Sequence, residues 1–358
     1  MFSLTIRYVA IPIGSAEMSE SSGKVTERHV RLLNLRSKNN MTASVLNDHD
    51  KSSQTHESDW IEQKPLAVIT VTYNSADVLP NLLSSLEEGL VGVSRFEVIV
   101  VDNNSRDDSV AIAKAHPIGA RVIPTGRNGG YSAGINAGAA IVPTDWNILI
   151  LNPDLQLIPG AAVTMSNRLR DPKVGVVVPQ ILNPDGSLSL SLRREPSLMT
   201  AWSEALLGGL ISSRLGTGEI IGDLKRYESP TQVDWATGAI LMVSAHARQV
   251  VGDWDERFFL YSEEVDYMRR VRMQGLAVAY EPQAKAMHIG GDTKASPFLF
   301  AVQTTSRLRD FNARSGPVRR MLFRAGVATG EAIRSFRDQS HRAALKAALS
   351  PVRPIVVA

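Results

Sequence analysis

The sequence predicts an α/β protein, a mainly parallel mixed sheet flanked by helices and followed by a C-terminal helical tail. Three observations carry this expectation. From Pro65 onward, short β-branched runs alternate with helically spaced apolar residues, the pattern of a sheet built from strand–helix–strand units. Several of those runs end in polar clusters, as strands do when their carboxyl ends open onto a ligand crevice. At 358 residues, with 44% hydrophobic and 21% charged residues, the chain can bury a large core.

The elements follow in order. Residues 66–72 (Leu-Ala-Val-Ile-Thr-Val-Thr) read as a buried strand. Val78, Leu79, Leu82, Leu83 and Leu86 then share one helical face. Residues 96–101 form a second strand, and a helix is expected to open near Ser105, where Arg106-Asp107-Asp108 suits a first turn. Residues 120–123 are a third strand. A glycine-rich turn leads into a small-residue helix over about 131–141, and 146–151 and 174–178 are further strands. Later come an apolar strand over 240–243, a helix opening near Ser262 and a strand over 277–280. Residues 15–63 are polar and without period, so 1–63 is expected to be a disordered extension.

Composition narrows the chemistry. No cysteine is present, which removes disulfides and thiolate metal sites. No run approaches the ~18 apolar residues of a spanning helix, and the apolar run 8–13 is short and broken by Pro12, so a soluble cytoplasmic chain is expected. The net charge is +3, but from Arg314 onward nine Lys/Arg face two Asp/Glu, leaving the preceding residues at −4. The tail is therefore expected to meet an anionic surface. Its basic residues are not interleaved with aromatic stacking residues, which argues against nucleic acid.

The strand ends hold the chemistry. Thr72-Tyr73-Asn74, Asp102-Asn103-Asn104-Ser105 and Asn152-Pro153-Asp154 fall on one edge of the expected sheet. Each alone suits a helix cap; together with the Gly126-Arg127-Asn128-Gly129-Gly130 turn they point to a nucleotide. Tyr73 is suited to a base face, Asp102 to an imide N–H, and Arg127 to phosphate. The first strand lacks Gly-x-Gly-x-x-Gly, which argues against a dehydrogenase, and there is no phosphate-loop lysine motif. Asp154 reads either as a cap or as an oxygen ligand for Mg²⁺ or Mn²⁺. Further along, Glu263, Glu264 and Asp266 crowd a helix start, where they either answer the helix dipole or supply a base for a hydroxyl. His288 is a structural histidine or a metal partner of Asp154.

From about Pro65 to Asn312 the chain resembles the family 2 glycosyltransferases, and within them the bacterial rhamnosyltransferase-like branch. The residues that carry the resemblance are residues 71–74 and 101–105, Asn128-Gly129-Gly130-Tyr131, Gly134-Ile135-Asn136-Ala137-Gly138 and Leu151-Asn152-Pro153-Asp154. Gly238-Ala239, Asp255-Glu256-Arg257-Phe258-Phe259, Glu263-Glu264-Val265-Asp266 and His288 complete the series. The resemblance implies a GT-A type fold over residues 64–313, with a nucleotide-binding half (64–155) and an acceptor-binding half (156–313), followed by the basic tail 314–358. It implies that Thr72, Tyr73, Asn74, Asp102, Asn104, Arg127, Asn128, Gly130, Asn152 and Asp154 meet the donor nucleotide. Trp235, Thr237 and Gly238 would meet the acceptor. Asp154 would stand last in the D-x-D metal motif, whose first position here is Asn152, with His288 as a second ligand of Mn²⁺ or Mg²⁺. Glu264 would fall at the general base, where Asp is more usual, with Glu263 as its alternative. The reaction implied is inverting transfer from a nucleotide sugar.

Asn-Pro-Asp and Arg194-Glu195-Pro196-Ser197-Leu198 look like enzymes that use dTDP-L-rhamnose on a polyprenyl-diphosphate sugar. UDP-galactofuranose, UDP-glucose and GDP-mannose share the framework. A non-catalytic nucleotide-sugar-binding subunit is the contrasting reading, and the intact set Asp102, Asp154, Glu264 and His288 argues against it. In the tail, Val318, Met321, Leu322, Ala325, Ala332, Ile333 and Phe336 recur near helical spacing among arginines. They suit either an interfacial helix on the inner face of the membrane or a helix packed on the body.

Overall fold

The computed structural model describes residues 63–289 and 296–353. The expected extension 1–63 lies outside the described residues, save Gln63. The first elements are β1 (Leu66–Thr72), α1 (Leu79–Gly89), β2 (Phe96–Asp102), α2 (Ser109–Ala115), β3 (Arg121–Pro124), α3 (Tyr131–Ala139) and β4 (Asn147–Leu151). Next come β5 (Leu155–Leu157), α4 (Ala161–Arg168), β6 (Val174–Leu182), β7 (Leu192–Arg193) and α5 (Leu198–Arg214). They are followed by β8 (Thr231–Gln232), β9 (Trp235–Ala236), β10 (Ile240–Val243), α6 (Ala245–Val251), α7 (Glu263–Met273) and β11 (Ala277–His288). The chain then turns helical as α8 (Pro297–Ala313), α9 (Pro317–Arg334) and α10 (Gln339–Leu349).

Nine strands form the main sheet, ordered β3-β2-β1-β4-β10-β6-β11-β5, with β8 also on β11. The pairings of β3, β2, β1 and β4 are parallel, β10 runs against β4 and β6, and β5 and β8 run against β11. The sheet is thus mixed, with most strands pointing one way. Register levels the functional edge, since Thr72 lies opposite Asp102, and Thr70 opposite Leu151.

Both faces of the sheet are covered, which is why β1 is buried along its whole length. Leu66 and Val68 join Leu79, Leu82, Leu83 and Leu86 of α1 on one side. Ala67, Ile69 and Val71 face Ile135 and, further along, Val265 and Met268 on the other. Each such leucine contributes about 1.5–3 kcal/mol when fully buried. The small residues of α3 let it lie close to the sheet, because a Cβ on Gly134 would fall 2.4 Å from Val71 Cγ1. A third, smaller core of Ala201, Leu308, Phe311, Phe323, Val327 and Ala348 joins α5, α8, α9 and α10. Phe311 and Phe323 stack there with centroids 3.8 Å apart.

Two boundaries differ from expectation for local reasons. The second helix starts at Ser109 rather than near Ser105. Asp102 holds the Ser105 N–H at 2.9 Å, and the Asp107 carboxylate accepts from the Ser109 and Ala76 N–H groups, so residues 105–108 stay a turn. The last long strand runs on to His288 instead of stopping at Tyr280, absorbing a register shift between Glu281 and Lys285.

Candidate active site

The ends of β1 and β2 are laced together. Thr72 Oγ1 donates to Asp102 Oδ1 at 3.1 Å, and the Ser105 N–H donates to Asp102 Oδ2 at 2.9 Å. The Asn74 N–H donates to Ser105 Oγ at 2.9 Å, and the Arg106 N–H donates to Asn74 Oδ1 at 2.8 Å. Asn74 (φ 53°) and Asn104 (φ 67°) both take the left-handed conformation, which asparagine tolerates better than most residues. The result is a buried floor of Thr72 and Asp102 beneath an exposed rim of Tyr73, Asn74 and Asn104. Both Asp102 oxygens already accept from the protein, so its carboxylate braces the floor whatever else it meets.

The glycine turn is tied to the far half of the chain. Asn103 Nδ2 donates to Gly130 O at 2.9 Å, the Gly130 N–H donates to Asn128 Oδ1 at 3.1 Å, and the Tyr131 N–H donates to Phe259 O at 2.8 Å. Gly130 sits at φ 90°, and a Cβ there would fall 2.2 Å from Phe259 O, so only glycine fits. Arg127 stands exposed on this turn.

Asp154 and His288 meet through sheet register. Asp154 directly precedes β5, and the pairing of β5 with β11 sets His288 opposite Leu155. His288 Nε2 lies 3.2 Å from Asp154 Oδ1, and that buried oxygen has no other polar contact among the described residues. A carboxylate oxygen and an imidazole nitrogen fit Mn²⁺ or Mg²⁺. Among the described residues no group of three or more His, Cys, Asp or Glu could hold a metal.

The acid cluster arrives from α7. Tyr261 (φ 66°) and Ser262 (φ 69°) both turn left-handed before that helix, a costly conformation for two consecutive non-glycine residues. Ser306 of α8 holds the turn, its Oγ donating to Leu260 O at 2.9 Å. Asn152 N–H donates to Ala239 O at 2.8 Å, and the adjacent Gly238 lies against Glu264, where a Cβ would stand 3.2 Å from Glu264 Cβ. The Asp154 turn and Glu264 therefore flank one short segment.

The three acidic side chains differ. Burial pushes the Glu264 carboxyl up to about 7, against the pull of the Arg193 guanidinium, and its Oε2 has no hydrogen-bond partner. Glu263 is buried beside it and held well above the usual carboxylate range by burial and then by Glu264. Asp266 is engaged at both oxygens, by Arg269 Nη2 at 2.7 Å and Arg270 Nε at 2.8 Å. The buried Tyr131 hydroxyl reports their convergence: burial raises it, and Glu263, Asp154 and Glu264 raise it further.

Comparison with known proteins agrees with this layout. The family described as Glycosyl transferase family 2 matches residues 67–222. An N-acetylglucosaminyl-diphospho-decaprenol L-rhamnosyltransferase of Mycobacterium tuberculosis is 34% identical over 236 residues, covering 62% of this chain and 75% of that protein. The chain belongs to glycosyltransferase family 2. A low-salt glycan biosynthesis hexosyltransferase of Haloferax volcanii is 26% identical over 226 residues, 62% of this chain and 66% of that one. A mannosyltransferase from Pyrobaculum calidifontis, solved with GDP-mannose and Mn²⁺, superposes with a TM-score of 0.51 at 15% identity, covering 80% and 86%. The fold is of the GT-A type, and the enzyme is a hexosyltransferase.

The residues expected to meet the acceptor lie together at and just after β9. Trp235 is buried, its Nε1 donating to Arg194 O at 2.8 Å, and β9 pairs it with Arg193 of β7. Thr237 and Gly238 are partly open, with the Thr237 N–H donating to Ser191 O at 3.1 Å. Arg193, which the sequence reading passed over, is half-buried over the Trp235 ring at 5.8 Å and acts electrostatically on Glu264. Its only signal in the sequence is its place just before the Arg194-Glu195-Pro196 stretch. Behind it, Glu195 binds Arg272 and Arg314, and buried Asp310 binds Arg269 and Arg314, tying the loop before α5 to α7 and α8.

Proposed function

We propose that this transferase moves L-rhamnose from dTDP-L-rhamnose to a hydroxyl of a polyprenyl-diphosphate-linked sugar, in cell-wall or polysaccharide assembly at the inner face of the membrane. The catalytic body spans 64–313, divided at about residue 155 into donor and acceptor halves, and 314–358 is the tail. The observation that carries the transfer chemistry is the Glu264 carboxylate, poised near neutrality, with an Oε2 that finds no hydrogen-bond partner among the described residues, and packed against Gly238 on the turn beside Asp154. The likeness to a mycobacterial rhamnosyltransferase supports the donor and the acceptor class.

Thr72 and Asp102 form the floor beneath the base, with Tyr73, Asn74 and Asn104 at its rim. Arg127, Asn128 and Gly130 line the diphosphate side, together with Asn152. Asp154 and His288 fit a divalent cation, which when bound would neutralise charge on the departing diphosphate. Glu264 takes the proton from the acceptor hydroxyl. The acceptor oxygen then attacks the anomeric carbon as its bond to the diphosphate breaks, inverting the configuration and releasing nucleoside diphosphate. Buried Glu263 packs beside Glu264, and Asp266 positions α7 through its arginines. Trp235, Thr237 and Gly238 shape the acceptor side.

The test is a donor panel. The purified chain with Mn²⁺ and a polyprenyl-diphosphate-N-acetylglucosamine acceptor is expected to consume dTDP-L-rhamnose in preference to UDP-galactofuranose, UDP-glucose and GDP-mannose. Asp154→Ala should remove that turnover along with the metal-dependent rise in melting temperature caused by dTDP. Preference for a UDP or GDP sugar would overturn the rhamnose assignment, and binding without turnover of any donor would favour a non-catalytic subunit.

A further inference from the structure

Helix α5 leaves the side proposed for the acceptor and returns to it. Arg193 before the helix and Ile220 after it form an antiparallel bridge, and the Arg194 N–H donates to Glu219 O at 2.8 Å. Between them the chain projects outward: the ten residues 198–207 rise about 15 Å, and Gly208 (φ 77°, ψ 162°) then breaks the helix.

The outer part of this projection is patterned inside out. Ser212 and Ser213 are buried, their hydroxyls donating to Gly208 O and Leu210 O, whereas Leu206, Leu207, Leu210, Ile211 and Leu215 face solvent, Leu210 at 76% exposure. A water-facing helix end would reverse that arrangement.

Helix α9 extends the same surface. It packs along α5 in parallel, with Trp202 against Gly326, Ala205 against Gly330, and Arg334 Nη1 donating to Glu204 O at 3.3 Å. That register carries Ile333 and Phe336, the latter 87% exposed, toward the tip of α5. An open groove beside Phe336 is lined by Leu345 and Leu349 between Arg342 and Lys346. Arg214 and Arg337 are also exposed. The carboxylates of these helices are committed elsewhere: Glu204 binds Arg307, Glu331 binds Arg334, and Asp338 caps α10.

We propose that the tip of α5, with the end of α9 and the basic groove of α10, is a membrane-docking face that seats its leucines at the interface of an anionic bilayer. Exposed apolar side chains with exposed cations beside them match that surface in both polarity and charge. The proposal goes beyond the transfer reaction and uses that reading only to give docking a purpose: the same hairpin that touches lipid at its tip holds Arg193, beside the base, at its root.

The test is co-sedimentation of the full chain with phosphatidylcholine vesicles, with and without phosphatidylglycerol, in the absence of donor and acceptor. Failure here is thereby separate from failure of the rhamnosyl reading. Wild type should bind the mixed vesicles, and added salt should weaken binding. Leu206→Ser/Leu210→Ser/Ile211→Ser should reduce that binding roughly tenfold or more with an unchanged thermal melt, and Arg337→Gln/Arg342→Gln should remove the preference for anionic lipid. Should the triple variant melt abnormally, Phe336→Ser is read in its place, with a smaller reduction expected. Absence of wild-type binding, or equal binding by wild type and the tip variant, would overturn the proposal. So would a dimer that binds no vesicle and is dissociated by the tip substitutions, since the face would then join two copies of the chain.

Discussion

The two halves of the site are built by different means. On the side proposed for the donor, backbone turns after β1, β2 and β3 are held by side chains close to strand ends that register already levels. On the side proposed for the acceptor, two-residue strands and a turn are held by ion pairs among residues far apart in sequence, such as Glu195 with Arg272 and Asp310 with Arg269. The first half resembles a preformed nucleotide cradle. The second holds the proposed base by electrostatics and should be the more sensitive to loss of a single charge.

The largest expected effect follows from that contrast. Asp310→Ala removes the buried partner shared by Arg269 and Arg314, and should cost about 3 kcal/mol, toward the lower end for a broken buried pair because Arg269 keeps Asp266. Denaturant unfolding measures the loss. Turnover should fall while dTDP affinity in the folded fraction holds; equal loss of both would erase the distinction between the halves.

A pH series sharpens it next. Glu264 must be ionised to accept a proton, so kcat/KM should rise about tenfold per pH unit below its pKa and level off above about 7. Stability has the opposite sign. With the folded-state value raised from 4.5 to about 7, the contribution of this carboxyl is fully present below about 4.5 and lost as pH rises through 7. Buried Glu219, also pushed up to about 7, adds to the same slope. Glu264→Gln should flatten part of it, and a pH-independent rate between 5 and 7 would argue for another base. The smallest effect belongs to the donor rim. Tyr73 is 42% exposed, and Tyr73→Ala should weaken dTDP binding by about 1 kcal/mol in calorimetry without changing stability, given a contact made by one face of one ring.

Legibility in the sequence follows the same division. The β1, β2 and β4 strand ends could be read because each is a local signal, an apolar run meeting Asn, Asp or Thr. What the sequence left open at Asp102, cap or ligand, is answered in part by the Thr72 and Ser105 bonds, which depend on strand pairing. On the other side, β7, β8 and β9 are too short to show any period, and Arg193 and Glu264 approach across some seventy positions. Helix α5 hid because its leucines point outward and Gly208 interrupts its spacing. The tail row Val318, Met321, Leu322, Ile333 and Phe336 was visible as apolar, yet α9 packs inward through Phe323, Gly326, Val327 and Gly330 and leaves that row exposed. The packed-helix expectation for the tail thus holds on one face, and the other face is open.

The most direct test of the account is Glu264→Gln, with donor binding and turnover measured on the same preparation. The account predicts dTDP affinity in Mn²⁺ within about twofold of wild type and a kcat lowered roughly 10²–10⁴-fold, the range for loss of a general base. Near-normal turnover with donor binding intact would contradict it and return the role of base to another residue.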